Sequence, residues 1–189
     1  MRLSKENNYH PDLEDLEKKI NDKTSLIILN SPNNPCGSVL SSQEISFIAS
    51  LVKRYPNVHV LSDEIYKDIT YDNTYTSIAS EPGLLDKTII LDGLSKSHAM
   101  TGWRLGYGVF PAPLMEYITR LAVNSVSCAT AFSQRAMISA LEGPQDNVSN
   151  MVKEFEERRA LFVNGLNAIS GIECPMPEGA FYAFANIEN

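Results

Sequence analysis

An apolar run, a capped amphipathic segment and a second apolar run follow one another between Leu26 and Leu61, and this succession constrains the fold more than any other feature. Residues 26–29 read as a buried strand, since consecutive apolar side chains suit a strand covered on both faces. Ser41 and Glu44 form the Ser-x-x-Glu signature of a helix start, which predicts a helix to about Arg54. Residues 58–61 return as a second strand. Two strands joined through a helix run parallel with a right-handed crossover, so an α/β architecture follows. In such a sheet ligands gather at the carboxyl ends of the strands. Between the first strand and the helix, Ser31-Pro32-Asn33-Asn34-Pro35-Cys36-Gly37 is dense in turn formers and reads as a loop.

The alternation continues on both sides of this unit. Leu13, Leu16 and Ile20 predict a short helix over 11–20, and further strands are expected at 88–91 and 105–110. Beyond Pro111 the pattern turns helical, with helices over 113–124 and 133–141, the second stopped by Gly143-Pro144. A long amphipathic helix follows, in which Val148, Met151, Val152, Phe155, Phe162, Val163, Leu166 and Ile169 form one face. Glu154, Glu156, Glu157, Arg158 and Arg159 are assigned to its wet side. Pro175, Pro177 and Gly179 then introduce a predicted strand over 180–184.

With 189 residues, 43% of them hydrophobic, the chain suits one domain or one domain plus part of another. Its net charge of -7 argues against general affinity for nucleic acid or an anionic membrane. No apolar stretch approaches the roughly 18 residues that span a bilayer. Cys36, Cys128 and Cys174 lie far apart without zinc-site spacing, so no metal is expected and a reducing cytoplasm is the simplest location. The acceptor pattern Asn147-Val148-Ser149 falls near a helix start and carries no weight.

The candidate functional residues cluster in short segments. Lys96 sits in a loop that offers one amine and, eight residues on, the guanidinium of Arg104. Asp63 follows the second predicted strand, with Tyr66 three residues later, and Asn34 lies in the turn-rich loop. This set reads as a site for pyridoxal phosphate. That cofactor's aldehyde, phosphate, pyridine nitrogen and phenolic oxygen each need a different partner, and the chain offers one for each.

Four segments carry a resemblance to a known family: Asn30-Ser31-Pro32-Asn33-Asn34-Pro35-Cys36-Gly37, Ser62-Asp63-Glu64-Ile65-Tyr66, Ser95-Lys96 with Gly102-Trp103-Arg104-Leu105-Gly106-Tyr107, and Pro177-Glu178-Gly179-Ala180-Phe181-Tyr182. In order and spacing they resemble the fold type I pyridoxal-phosphate enzymes, specifically class I/II aminotransferases of the aspartate aminotransferase kind. The resemblance implies that Lys96 is the Schiff-base lysine and the proton carrier at the substrate Cα. It implies that Asp63 pairs with the pyridine nitrogen and that Tyr66 and Asn34 hydrogen-bond the phenolic oxygen. Arg104, helped by Ser95 and nearby backbone amides, would hold the phosphate. Cys36 stands where the family often has threonine, and Gly93 where many relatives have a serine that also touches phosphate. No family role transfers to His98, and His10, His59 and Trp103 are expected to be structural. Gly102, Gly106 and Gly108 do not make a dinucleotide fingerprint and are expected to permit close backbone packing.

The resemblance also implies the architecture. Residues 1–144 would be the latter part of a three-layer α/β/α large domain, and 145–189 a linking helix and the beginning of a small α+β domain. The family's N-terminal arm, phosphate-receiving helix and ring-stacking aromatic would precede Met1, and its carboxylate-gripping arginine would follow Asn189. The implied activity is amino transfer between an amino acid and a 2-oxo acid in a homodimer. A related carbon-sulfur lyase, a decarboxylase or a non-catalytic cofactor-sensing domain remain alternatives. Taken alone, the chain is expected to be inactive and to expose apolar surface around 26–29 and 181–184.

Overall fold

The computed structural model describes residues 1–72 and 75–187, so the last two residues of the predicted second domain lie outside the described residues. Its centre is a four-stranded sheet in the order β1 (Leu26–Asn30), β2 (His59–Asp63), β3 (Thr88–Asp92), β4 (Tyr107–Val109). The first three strands are parallel, with Asn30 level with Asp63 and Asp63 level with Leu91, so their carboxyl ends share one edge. β4 runs antiparallel to β3.

α1 (Leu13–Lys19) and α2 (Ser42–Arg54) cover one face of the sheet. The predicted capping box of α2 is present: Ser41 accepts the Glu44 N–H, and the Glu44 carboxylate accepts the Ser41 N–H at 2.7 Å. Two otherwise orphaned donors are thereby satisfied at the point where the helix must start. Lys53 and Arg54 close the helix where cations favour its dipole. Ile45, Ile48, Ala49 and Val52 recur at three- and four-residue steps and pack on Ile27, Leu29, Val58 and Val60.

β1 departs from the fully buried strand expected. Ile27 and Leu29 point into the core, whereas Leu26 is 42% and Ile28 66% exposed, because α1 and α2 cover only one face and β1 is an edge strand. α3 (Met115–Ser125) and α4 (Ala131–Glu142) also carry exposed apolar side chains, among them Tyr117, Leu121, Phe132 and Leu141.

α5 (Asp146–Asn167) lies where the long helix is expected, and Met151, Val152 and Phe155 pack against a second cluster built on Tyr66, Ile69 and Ala180. Two assignments along the predicted long helix are corrected. Phe162 and Ile169, placed on the apolar face by periodicity, are more than half exposed. Arg159 leaves the wet side: its guanidinium stacks 4.1 Å from the Tyr71 ring centre and donates to the Pro177 carbonyl at 2.6 Å. A planar cation over an aromatic face is a stable way to half-bury charge.

The strand predicted over 180–184 is absent. Ala180 adopts a left-handed conformation (φ 55), which turns the chain out of an extended course, and its N–H donates to Ile69 at 2.8 Å. Phe181 and Phe184 remain exposed. Among the glycines, Gly93 and Gly106 do bring backbones together, since a Cβ on Gly93 would lie 3.0 Å from the Gly106 Cα. Gly102 faces open space, contrary to the expectation of close packing.

Candidate cofactor site

The site forms at the shared carboxyl edge of the parallel strands. Asn30 ends β1 and is level with Asp63, which ends β2. The Asn30 amide donates to the Asp63 carbonyl at 3.3 Å, and its Oδ1 accepts the Asn34 N–H at 2.7 Å. One side chain therefore fixes the turn-rich loop to the neighbouring strand end and sets Asn34 beside it. The Asp63 carboxylate accepts the Ile65 N–H at 3.3 Å, which caps the turn leading to Tyr66. Glu64, next to Asp63, is buried away from this edge and accepts from Ser62 and Ser77.

Tyr66 is 3% exposed and stands edge-on to Phe181 and Tyr182. Burial holds its phenol proton more tightly than usual, the hydrogen bond with Tyr182 adds to this, and the Asn34 amide opposes it. The Tyr66 and Tyr182 hydroxyls are 2.5 Å apart. The Lys96 Nζ lies 5.8 Å from the Tyr66 ring centre. The fold thus brings Asn34, Asp63, Tyr66 and Lys96 to one edge from three separate loops.

The Lys96 loop leaves β3 at Asp92. That buried carboxylate accepts the Gly93 N–H at 2.7 Å and the Tyr107 hydroxyl at 2.5 Å and pairs with Lys67, so the start of the loop is tied to β4 and to the turn after β2. Burial disfavours the charged Lys67 amine, but its bond to Asp92 outweighs this and raises its pKa. Arg104 is exposed and left-handed (φ 54). Its Nη1 donates to the Thr101 carbonyl at 3.0 Å, and Thr101 Oγ1 donates to the Ser95 carbonyl at 2.8 Å. Arg104 and Ser95 are therefore linked through one residue on the rim of the same loop. His98 pairs with Ser97, and Trp103 meets Phe132 edge-on at 6.3 Å, both packing contacts.

The donor set fits pyridoxal phosphate on chemical grounds. It offers an amine for the aldehyde, a carboxylate for the pyridine nitrogen, a phenol with an amide for the phenolic oxygen, and an exposed guanidinium for the phosphate. Among the described residues no group of three metal-ligating side chains occurs, and no helix is long and apolar enough to cross a membrane.

Two residues of the site escaped sequence reasoning. Asn30 opens the first of the four segments but has no role there, although an asparagine beside a strand end must satisfy its amide locally. Tyr182 lay within a quoted motif, but the strand assigned to 180–184 gave its hydroxyl no partner.

His10 proves structural, as expected, in an informative way. Its Nδ1 is 3.0 Å from Glu44 and its Nε2 3.1 Å from Glu178, so both ring nitrogens face carboxylates. Glu178 also accepts the Val39 N–H at 2.8 Å, which ties the turn at 177–179 to the loop before α2. Only the imidazolium donates from both nitrogens. The Glu44 bond, opposed by burial and helped by the charges of both carboxylates, raises the His10 pKa. Burial pushes Glu44 up, but the bonds from His10 and Ser41 prevail and its pKa is lowered. The raised imidazole stabilises the fold fully below its unfolded pKa of about 6.5 and loses this as pH rises through the folded value. The lowered carboxylate contributes above about 4.3 and fails as pH falls through its folded value. Stability is thus expected to be greatest between these limits. His10→Gln should cost about 1–2 kcal/mol near pH 6 and much less at about pH 9, measured by urea unfolding at each pH. An equal cost at both would exclude the imidazolium bridge.

The aminotransferase class I and II family profile matches residues 1–189. The aspartate aminotransferase of Musicola paradisiaca (strain Ech703) is 42% identical over 186 residues, 98% of this chain and 46% of that protein. The crystal structure of the aspartate aminotransferase from Rhizobium meliloti superposes with a TM-score of 0.95 at 38% identity, covering 99% of this chain and 47% of that one. The aromatic aminotransferase of Pyrococcus horikoshii OT3 gives 0.92 at 36% identity, with 97% and 49% covered. The chain spans about half the length of the relatives it matches.

Proposed function

The chain belongs to the class I and II aminotransferases, and from that premise we propose that it is a segment of a pyridoxal-phosphate enzyme that moves an amino group between an amino acid and a 2-oxo acid. The observation that carries this reading is the convergence of Asn34, Asp63, Tyr66 and Lys96 at the carboxyl edge of the sheet. Pyridoxal phosphate, when bound, supplies an aldehyde that captures the amine and a ring that takes up the electrons released at Cα.

Each side chain then has a separate task. Lys96 would hold the aldehyde of the cofactor and, as a free amine, would move a proton at the substrate Cα. Asp63 keeps the pyridine nitrogen protonated, which lets the ring accept charge. Tyr66 and Asn34 hold the phenolic oxygen, and Arg104 with Ser95 receives the phosphate at the rim. Residues 1–144 form the latter part of the cofactor-binding large domain, and 145–189 the linking helix and the beginning of the small domain. The working unit is a cytoplasmic homodimer acting on small amino and oxo acids.

The test is chemical. Purified chain incubated with pyridoxal phosphate and reduced with borohydride should carry the cofactor on Lys96 alone. An adduct mapped to Lys53, Lys67 or Lys87, or none at all, would overturn the reading. The loaded chain before reduction should transaminate aspartate, alanine and aromatic donors far more slowly than a relative of full length, because positioning groups account for much of an enzyme's rate.

A further inference from the structure

Resting on that reading, we propose that Tyr182 is a positioning residue that directs the Tyr66 hydroxyl toward the phenolic oxygen of the cofactor. The two hydroxyls are 2.5 Å apart, and the Tyr66 ring is fixed by edge contacts to Phe181 at 5.4 Å and Tyr182 at 5.6 Å. A phenol oxygen has two acceptor positions and one hydrogen. The Asn34 amide bonds to the Tyr66 oxygen, and the Tyr182 hydroxyl, which can accept or donate across 2.5 Å, supplies the second donor once the Tyr66 hydrogen turns to the cofactor. With both acceptor positions filled, the Tyr66 hydrogen is left for the phenolic oxygen of the cofactor, whose aldehyde partner Lys96 lies over the same ring, 5.8 Å from its centre.

Tyr182 is itself held from several directions, as a positioning group must be. Left-handed Ala180 turns the chain, its N–H bonds to Ile69, and its carbonyl accepts the Tyr71 hydroxyl. Two residues earlier, the Glu178 and Gly179 N–H groups both donate to the Gly37 carbonyl at 2.9 Å. The turn that carries Tyr182 is thereby fastened to the loop that carries Asn34, so the two donors to Tyr66 move as one unit. A row of donors also strengthens each member, which makes Tyr66 the better donor when Tyr182 bonds to it.

The consequence is spectroscopic. A weaker bond from Tyr66 leaves more negative charge on the phenolic oxygen, and that charge holds the proton on the Lys96 nitrogen more tightly. In the full 189-residue chain loaded with pyridoxal phosphate, Tyr182→Phe should raise the pH at which the absorbance band titrates by about half a unit to one unit. Tyr66→Phe should move it further the same way, and adding Tyr182→Phe to Tyr66→Phe should change nothing more, because the route through Tyr66 is already cut. A merely structural tyrosine would give additive shifts or none. Should Tyr182→Phe not fold, 3-fluorotyrosine at position 182, a stronger donor of nearly the same size, should shift the titration downward instead. A borohydride-reducible band whose titration ignores both changes at position 182 removes the role of Tyr182 and leaves the cofactor site intact. If the unchanged chain forms no such band, the cofactor reading falls and this inference falls with it.

Discussion

Lys96→Ala should abolish the borohydride-reducible absorbance band completely, because the variant retains no amine at the position facing Tyr66. Retention of the cofactor should not vanish with it. The phosphate is expected on Arg104, which is exposed on the rim and bonded to the same loop through Thr101, so its contribution is separable from the covalent link. Charge-assisted bonds of this kind contribute about 1.5–3 kcal/mol, or roughly 10- to 150-fold in affinity. Equilibrium dialysis can divide the two effects. Lys96→Ala should still bind pyridoxal phosphate better than pyridoxal, and adding Arg104→Ala should erase that preference. If Lys96→Ala shows no preference for the phosphorylated form, Arg104 is not the phosphate ligand. If Lys96→Ala keeps a reducible band, another amine carries the aldehyde.

The division between what could be read from the sequence and what could not follows from the range of the interactions. The α2 capping box, the alternation of strands and helices, and the Lys96 loop depend on neighbours within a few residues, so their signals are local and survive in the sequence. Asn34, Asp63, Tyr66 and Lys96 come together because parallel strands deliver their carboxyl ends to one edge, which a βαβ pattern predicts without knowledge of side chains. The failures involve partners beyond the local window, from 18 residues away for Arg159 and Pro177 to 116 for Tyr66 and Tyr182. Tyr182 meets Tyr66 where Ala180 turns left-handed, and a Gly-Ala-Phe-Tyr segment rich in aromatics reads locally as a strand. Arg159 looks like one charge in a charged row, yet Tyr71 and the Pro177 carbonyl draw it out of that row. Periodicity likewise places Phe162 on an apolar face without telling whether anything covers that face.

The join between the Asn34 loop and the Tyr182 turn rests on one atom-free position, and Gly37→Ala should break it. Gly37 has φ +76, and a Cβ there would lie 2.6 Å from the Pro177 Cβ and 3.3 Å from the Tyr182 carbonyl oxygen. Two costs combine: about 1–2 kcal/mol for an L side chain in the left-handed region, and about 1–3 kcal/mol for overpacking against a rigid proline ring. Gly83 separates them. It has nearly the same φ of +78 but nothing within 4 Å of the added Cβ, so Gly83→Ala meets the dihedral cost alone. Urea unfolding should therefore show Gly37→Ala losing about 2–4 kcal/mol and Gly83→Ala about 1 kcal/mol. The loss at Gly37 should also reach the site, since Gly37 accepts the Glu178 and Gly179 N–H groups and any retreat of Pro177 draws Tyr182 from Tyr66. Gly37→Ala should accordingly shift the titration of the bound cofactor in the same direction as Tyr182→Phe, while Gly83→Ala leaves it unmoved. Equal losses of stability in the two variants, with no shift in either, would show that the turn docks without the contact between Gly37 and Pro177.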